Sequence, residues 1–410
     1  MVSLQKAKRD EDNMSQSKLS KFAATAVFNL GFRAFFLGAG LYSVFGMFLW
    51  WLQFSGIVSI NLTSAWHAHE MLFGYTFAVI AGFLLTSVRN WTGIDTATGA
   101  GLLILFSLWL LARLFNILGV YTIAAVCDLT FMLLFCWSVV VPIVKTKQWR
   151  QFAIMAAIII LIGANGFYCA GQLEVSEYGV YLGNYLGFYF VVGLVLVMTG
   201  RVLPFFVEQA SQENVRRVSR SWLEGSILVS YVLWVGSNFF ASETIELGIH
   251  ASAAYLLAGL LFVLNSMRLK SWYTRAIWSK PLLWSLFVAY GFITFGFLLY
   301  ALLYFGWYSF FIPLHAVAVG GIGLLTLSMM VRVSLGHSGR NIHEPSGFVV
   351  AAFYVLILAS LVRVLLPWLD PQHKVWWVQT SQILWMITFA VFCILFAPIL
   401  SQPRADGRPG

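Results

Sequence analysis

Stretches of about 20 mostly apolar residues recur along the whole chain, and each is long enough to cross the hydrocarbon core of a bilayer. Of the 410 residues, 60% are hydrophobic and 10% are charged, whereas roughly a quarter are charged in a soluble domain. We therefore predict an all-α, polytopic helical bundle surrounded by a lipid bilayer. About twelve spans are predicted, beginning near Phe32, Trp66, Ala97, Val120, Gln151, Tyr178, Ser221, Glu246, Pro281, Tyr308, Gly347 and Val375. Polar residues interrupt the fifth and eighth of these spans.

The net charge of +9 is distributed along the chain in a way that indicates membrane orientation rather than nucleic-acid binding. Basic residues occupy alternate loops and both tails, whereas the intervening loops are mainly acidic. This positive-inside pattern predicts that both termini are cytoplasmic, which requires an even number of spans. The predicted cytoplasmic loops carry Lys145, Lys147, Arg150, Arg201, Arg216, Arg217, Arg220, Arg268, Lys270, Arg275, Lys280, Arg332 and Arg340. The predicted domains are a cytoplasmic N-terminal tail (1–30), a transmembrane domain (31–400) and a disordered cytoplasmic tail (401–410).

The four cysteines all lie inside predicted spans, and none forms a CxxC pair. We therefore predict that they are buried small apolar residues rather than disulfides or thiolate metal ligands. The polar, basic segment before the first span has no small-residue cleavage site after that span, so we predict no cleaved signal peptide.

The second span opens with five residues that point to function, Trp66-His67-Ala68-His69-Glu70. Imidazole and carboxylate groups are costly beside hydrocarbon, so inside a span they are functional-site candidates. Histidine is also the commonest protein ligand for metals and a frequent axial ligand of haem iron. This segment is therefore the first candidate for a metal site.

The topology predicts the depth of the other histidines. The second and tenth spans both run from outside to inside, so His67, His69 and His315 lie in the outer half of the membrane. His250 lies near the outer start of the eighth span. His337 follows the tenth span on the cytoplasmic side, about 33 Å from His315 if the intervening chain is helical. His315 and His337 therefore cannot bind the same metal ion.

Helical geometry separates His67 from His69, because residues two apart on an α-helix point about 200° from each other. They can share a metal only if the backbone is not helical there; otherwise they have different partners. One arrangement is that His69 and His315 bind a haem iron from opposite faces, while His67, with Glu70, binds a second metal. The alternative is that these histidines only form hydrogen bonds to neighbouring helices.

Several arginines could bind an anionic group. Arg113 and Arg363 lie near the outer ends of their spans, where they could pair with haem propionates or simply reach the membrane interface. Asp128, in the fourth span, could pair with one of them. On the cytoplasmic side, the segment from Arg332 through His337 to Arg340 could bind haem propionates or phosphate, or act only as a positive-inside anchor.

These motifs, taken together and in this order, resemble the NnrS family. The resemblance rests on residues 32–36 (FRAFF), 66–71 (WHAHEM), 82–86 (GFLLT), 90–93 (NWTG), Gly200-Arg201 with Pro204, and His315 followed by residues 332–340 (RVSLGHSGR). It implies a twelve-span protein of the bacterial inner membrane that contains haem and copper and responds to nitric oxide and nitrosative stress. The haem is expected to be b-type. The resemblance does not assign ligands; depth and spacing favour His69 and His315 for haem, with His67, and Glu70 as an optional further ligand, near copper. Ala34 departs from the expected pattern, which would have proline after the arginine, so no role is transferred to it.

Two other functions stay open from the sequence. One is a membrane redox enzyme, such as a nitric oxide reductase or oxidase, with an unknown electron donor. No His-His pair occurs and no recognised catalytic motif is present, so homology to haem-copper oxidases is disfavoured. The other is a secondary transporter, in which Glu70, Arg113 and Asp128 form a proton or substrate path.

Overall fold

The computed structural model describes residues 26–60, 62–210, 221–243 and 248–407. Its fold is almost entirely helical, 85% of the residues lie in helices, and the described residues form no strand. Twelve long helices follow one another: α1 (Gly31–Phe54), α2 (Ser64–Thr92), α3 (Gly99–Ile117), α4 (Tyr121–Lys145), α5 (Phe152–Gln172), α6 (Gly179–Ala210), α7 (Ser221–Glu243), α8 (Gly248–Trp272), α9 (Pro281–Leu302), α10 (Phe311–His337), α11 (Gly347–Leu369) and α12 (Lys374–Ser401).

These twelve helices coincide with the twelve predicted spans, which confirms the predicted fold class. Eleven of them are long and apolar enough to cross a membrane, and the exception is α7. The fifth and eighth helices both qualify, and the eighth has the lowest mean hydropathy of the eleven, 1.4. Helix α7 carries Glu224, five serines and Asn238, which lower its mean hydropathy although its 23 residues suffice in length.

Local sequence signals account for the helix ends that position the site. The Thr63 side chain accepts a hydrogen bond from the Trp66 backbone N–H at 3.1 Å and so caps the start of α2. Helix α2 ends at Gly93, whose φ of +69° is the left-handed conformation that glycine adopts readily. Pro281 occupies the first turn of α9, where its missing N–H removes no helical hydrogen bond.

Helices α2 and α10 form the centre of the bundle. In their most apolar windows, 78% and 67% of the residues are buried, against 33–50% in the other spans. Neighbouring helices in the chain pack side by side, and α12 packs against α1, which brings the first and last spans together. Since helices buried on all sides have no lipid-facing surface to maintain, polar groups are tolerated there if they find partners within the protein.

Both central helices contain a π-helical segment immediately after a histidine. In α2 the π segment is Glu70–Thr76 and follows His69, and in α10 it is Ala316–Gly323 and follows His315. Such segments are rare and occur frequently at functional sites. The two histidines therefore mark equivalent positions in two similarly built helices.

Five residues predicted to lie in cytoplasmic loops lie inside the long helices instead: Lys145, Arg201, Arg268, Lys270 and Arg332. Arg268, which the charge pattern assigns to a cytoplasmic loop, is 2% exposed within α8. It forms an ion pair with Glu224 of α7 and donates a hydrogen bond to the Tyr290 hydroxyl at 2.8 Å. A buried arginine is retained here because Glu224 neutralises its charge. The N-terminal tail up to residue 25 and Arg216, Arg217 and Arg220 lie outside the described residues.

Candidate functional site

The start of α2 directs His67 and His69 to opposite sides of the helix. Residues 64–69 are α-helical, so the alternative of a non-helical backbone at this point is not realised. Because the two side chains diverge by about 200°, each reaches a different set of neighbours. Two clusters result, one around each histidine.

The first, here called the buried ion-pair cluster, consists of His69, Glu70, Arg113 and Asp128. Arg113 Nη1 lies 3.1 Å from each oxygen of the Glu70 carboxylate, and Arg113 Nη2 forms an ion pair with Asp128. All four side chains are at most 2% exposed. Arg113 is therefore the counter-ion of both carboxylates, and the structure pairs Asp128 with Arg113, one of the two arginines considered for it.

Uncharged donors complete the environment of Glu70. The Tyr42 hydroxyl donates a hydrogen bond to Glu70 Oε2, and Asn116 Nδ2 donates one to Oε1 at 2.6 Å. Gln172 in turn donates to Asn116 Oδ1 at 3.3 Å. These groups come from α1, α3 and α5, so one carboxylate on α2 connects four helices. Hydrogen bonds to a charged acceptor are each worth about 1.5–3 kcal/mol.

Both ring nitrogens of His69 face oxygen acceptors. Nδ1 lies 3.0 Å from Glu70 Oε1, and Nε2 lies 2.9 Å from Asn165 Oδ1. The Asn165 amide nitrogen is directed to Met132 Sδ at 3.1 Å, which supports this orientation of the amide. Only a ring with hydrogen on both nitrogens satisfies both acceptors, and such a ring has no lone pair for a metal.

The π segment makes room for this cluster. Gly74 lies over it, and a Cβ at this position would come 2.6 Å from the Tyr42 ring and 2.8 Å from Glu70 Oε2. The Gly74 carbonyl accepts a hydrogen bond from Trp109 Nε1 at 2.9 Å. A side-chain donor thus bonds a carbonyl of the irregular segment, which ties the π turn to α3.

The second cluster, here called the histidine–arginine cluster, consists of Trp50, His67, His315 and Arg363. His315 Nδ1 lies 2.7 Å from the Phe311 carbonyl, and Arg363 Nη2 lies 3.2 Å from His315 Nε2. Since the carbonyl needs a donor and the guanidinium needs an acceptor, His315 carries its hydrogen on Nδ1 and a lone pair on Nε2. Donation of the other ring N–H to a carbonyl is the usual way a metal-binding histidine is oriented.

His67 belongs to this cluster rather than to that of His69. Its ring stacks on Trp50 with centroids 5.0 Å apart and 7° between the planes. Arg363 acts electrostatically on both His67 and His315, which also interact with each other. The His67 Nδ1 atom is buried and has no hydrogen-bond partner within the described part of the chain. Such an orphaned nitrogen is costly unless a ligand engages it.

The structure therefore regroups the residues singled out from the sequence. It brings together His67, His315 and Arg363, and separately His69, Glu70 and Arg113; the ring nitrogens of His69 are directed to Glu70 and Asn165 and not to His315. In the described ranges, no group of three or more His, Cys, Asp or Glu residues has the spacing of a metal site. The side chain of His250 is not among those that the structure describes.

The arginine-rich segment at the opposite end of the bundle makes contacts within the protein. The Arg332 guanidinium lies over the Phe206 ring at 3.6 Å, and the His337 ring lies 5.6 Å from Phe32. Arg340 donates to the Ser338 carbonyl at 3.4 Å. Each of the three predicted anion-binding residues therefore has a partner within the protein.

Part of the tail predicted to be disordered packs against this segment. Arg33 donates to the Gln402 carbonyl at 2.5 Å, and Arg404 donates to the His337 carbonyl at 3.0 Å. Arg404 also pairs with Asp406 at 2.6 Å, and this contact raises the pKa of Arg404. The backbone carbonyls of a helix end and loop thus provide acceptors that composition alone does not reveal.

Tyr42, Asn116 and Asn165 are site residues that sequence reasoning missed. Asn116 and Asn165 are fully buried polar residues inside apolar spans, at 4% and 0% exposure. Their amides, like the intramembrane charges, require partners in the bundle, so their position in apolar runs was the available signal. Tyr42 has no such signal, because tyrosine is common in membrane helices.

The fold and its buried clusters define a polytopic helical membrane protein with two polar centres near one end of the bundle. A family model described as NnrS protein matches residues 26–404, nearly the whole chain. The chain therefore belongs to the NnrS family. A search of curated proteins finds no significant match.

Proposed function

We propose that the chain is a haem-containing protein of the bacterial inner membrane that binds nitric oxide and limits nitrosative stress. Membership of the NnrS family supports a protein associated with nitric oxide. The observation that carries the haem proposal is the histidine–arginine cluster, where His315 presents a lone pair on Nε2 next to a guanidinium.

The residues of this cluster fit a haem. A porphyrin supplies four of the iron's ligands, so the protein needs to add only one or two axial histidines. His315 is oriented by the Phe311 carbonyl, and His67 has a buried ring nitrogen in need of a partner. Among the described residues no carboxylate lies within ion-pair distance of Arg363, so the guanidinium is available for a propionate. The bound haem would supply an iron that takes up a diatomic gas.

The same residues do not fit a copper ion held by the protein alone. Copper in proteins takes several imidazole or sulfur ligands, and the described residues bring no three candidate ligands together. Glu70, predicted near copper, is bonded to Arg113, Tyr42 and Asn116.

The chain's own groups have distinct tasks in this proposal. Arg363 orients the ligand by charge, Trp50 packs against one face of the His67 ring, and the Phe311 carbonyl fixes the tautomer of His315. The buried ion-pair cluster joins α2 to three neighbouring helices and thereby fixes where His67 lies. In this proposal, the ionised groups of the buried ion-pair cluster position His67 and do not act on the gas.

Absorbance of the purified protein in detergent tests the proposal. We expect a Soret band, loss of that band in His315→Ala, and an altered or lost band in His67→Ala. His69→Gln retains a hydrogen-bonding side chain and should keep the band, whereas His69 as an axial ligand would require its loss. The control is His373→Ala, an exposed histidine at the same end of the bundle.

A second measurement separates binding from turnover. Addition of nitric oxide should shift the Soret band of the reduced protein without net consumption of the gas. Consumption in the presence of an electron donor would instead identify a redox enzyme. A wild-type protein without a Soret band after growth with ample haem would falsify the haem proposal.

A further inference from the structure

Two apolar cavities lie along the seam between α6, α9 and α10. The larger has a volume of about 90 Å³ and also touches α2. The smaller has a volume of about 20 Å³ and is lined by residues that include Val192, Leu314 and Val317. Leu314 and Val317 belong to the helical turn that carries His315, although the His315 side chain does not itself line the cavity. The larger cavity continues the seam deeper into the bundle.

The wall of the larger cavity offers no partner for water. Its lining is aliphatic and aromatic except for three threonines, and two of these use their hydroxyl groups within their own helices. Thr76 Oγ1 donates to the Met71 carbonyl at 2.7 Å, and Thr326 Oγ1 donates to the Ile322 carbonyl at 2.6 Å. Since a buried water needs two to four polar partners, this cavity is dry.

The volume of the larger cavity limits the kind of molecule that can occupy it. Protein interiors are close-packed, so a dry void of this size is uncommon in a well-packed core. Dry apolar cavities of about 150 Å³ bind benzene or xenon, and a cavity of about 90 Å³ accepts smaller apolar molecules. A neutral diatomic gas is of this class, and it dissolves in the bilayer that surrounds the chain.

We propose that the two cavities are binding sites for a small apolar gas and form a path through the bundle that ends at the helical turn that carries His315. The path as a route to haem rests on the proposed function, whereas gas binding in the larger cavity does not. The larger cavity is partly open, and two of the four helices that line it, α2 and α10, carry the π segments.

Diffraction from crystals of the whole protein under xenon pressure tests the gas site. We expect xenon density in the larger cavity of the wild-type protein. Val195 lines this cavity, and Val195→Phe should fill it and abolish the density. Val263 is 50% exposed on the outside of α8, so Val263→Phe makes the same change away from the cavity and should retain xenon.

Two outcomes would overturn the gas site: a wild-type cavity without xenon, or one filled by an acyl or detergent chain that xenon does not displace. If Val195→Phe does not fold, Ile80→Phe on α2 fills the same cavity from the opposite wall. Absence of haem leaves the xenon result unaffected, so failure of the proposed function and failure of the gas site are distinguishable.

Flash photolysis of the nitric oxide complex tests the path. Val195→Phe should slow recombination from solution severalfold relative to wild type, and Val263→Phe should leave it unchanged. Equal rates in wild type and Val195→Phe would refute the path, even if xenon occupies the cavity.

Discussion

The two faces of α2 differ in how their polar side chains are partnered inside the membrane. On the face of His69, each charged group has a partner of opposite sign and the side chains are at most 2% exposed. On the face of His67, the groups are half-buried. Within the described part of the chain, the His67 Nδ1 atom has no hydrogen-bond partner, and the guanidinium of Arg363 contacts an imidazole rather than a carboxylate. Charge compensation within the protein characterises a structural cluster, whereas uncompensated donors and acceptors characterise a site that awaits a ligand.

Under the proposed function, this contrast separates the role of His315 from that of His69. A metal ligand must keep a lone pair, which His315 does because a carbonyl and a guanidinium select one tautomer. His69 lies between two oxygen acceptors that remove any free lone pair. A histidine's hydrogen-bond partners, and not its position in the motif, therefore decide which role it has.

The largest expected effect comes from breaking the buried ion-pair cluster. Arg113→Met removes the counter-ion of Glu70 and Asp128 and leaves two carboxylates buried without it. Loss of one partner of a buried pair costs about 3–5 kcal/mol. We expect the apparent melting temperature in detergent to fall steeply and the yield of folded protein with it.

The matched control is Arg89→Met. Arg89 pairs with Asp95 at 2.6 Å, but the two side chains are 41% and 69% exposed. Exposed pairs contribute at most about 1 kcal/mol, so the melting temperature should change little. Equal losses in Arg113→Met and Arg89→Met would contradict the structural role of the buried cluster.

A smaller effect is expected from crowding the π segment. In Gly74→Ala the new methyl group would overlap the Tyr42 ring and the Glu70 carboxylate. Overpacking of this kind costs about 1–3 kcal/mol, which again appears as a lower melting temperature. Gly101→Ala is the control, because nothing lies within 4 Å of its Cβ position. Alanine there favours the helix by up to about 1 kcal/mol, so it should leave the protein unchanged or more stable.

Much of the fold was predictable because every span must be long enough to cross the bilayer. The predicted starts at Ser221, Pro281 and Gly347 coincide with the first residues of α7, α9 and α11. The error at Arg268 has a physical cause. A charge pattern assigns basic residues to loops, but a basic residue with a carboxylate partner on a neighbouring helix can remain inside a span.

The site was predictable only in part. Depth along the chain identified the histidines and separated His315 from His337, since depth follows from residue count. Which histidine faces which helix depends on rotation about the α2 axis and on packing, and a single sequence does not determine either. The π segments were also not predicted from the sequence. Hydrophobic periodicity assumes a regular α-helix, whereas a π segment shifts every later residue around the helix axis.

The most direct test of the comparison between the two faces of α2 changes the histidine–arginine cluster without unfolding the protein. Arg363→Met removes a half-buried guanidinium whose described polar contact is to His315, so no carboxylate is left uncompensated. The melting temperature should therefore stay close to that of the wild type, unlike that of Arg113→Met. Haem titration into the apo-protein should show about tenfold weaker binding, since a charged hydrogen bond is worth about 1.5 kcal/mol or more.

Arg363→Lys separates charge from geometry in this test. Lysine keeps the positive charge but loses the planar pair of donors that matches a carboxylate. We expect haem affinity between those of wild type and Arg363→Met, which would indicate that the guanidinium binds a propionate. If Arg363→Met unfolds the protein as Arg113→Met does, the histidine–arginine cluster is a structural element like the cluster on the opposite face of α2, and the distinction between the two faces is lost.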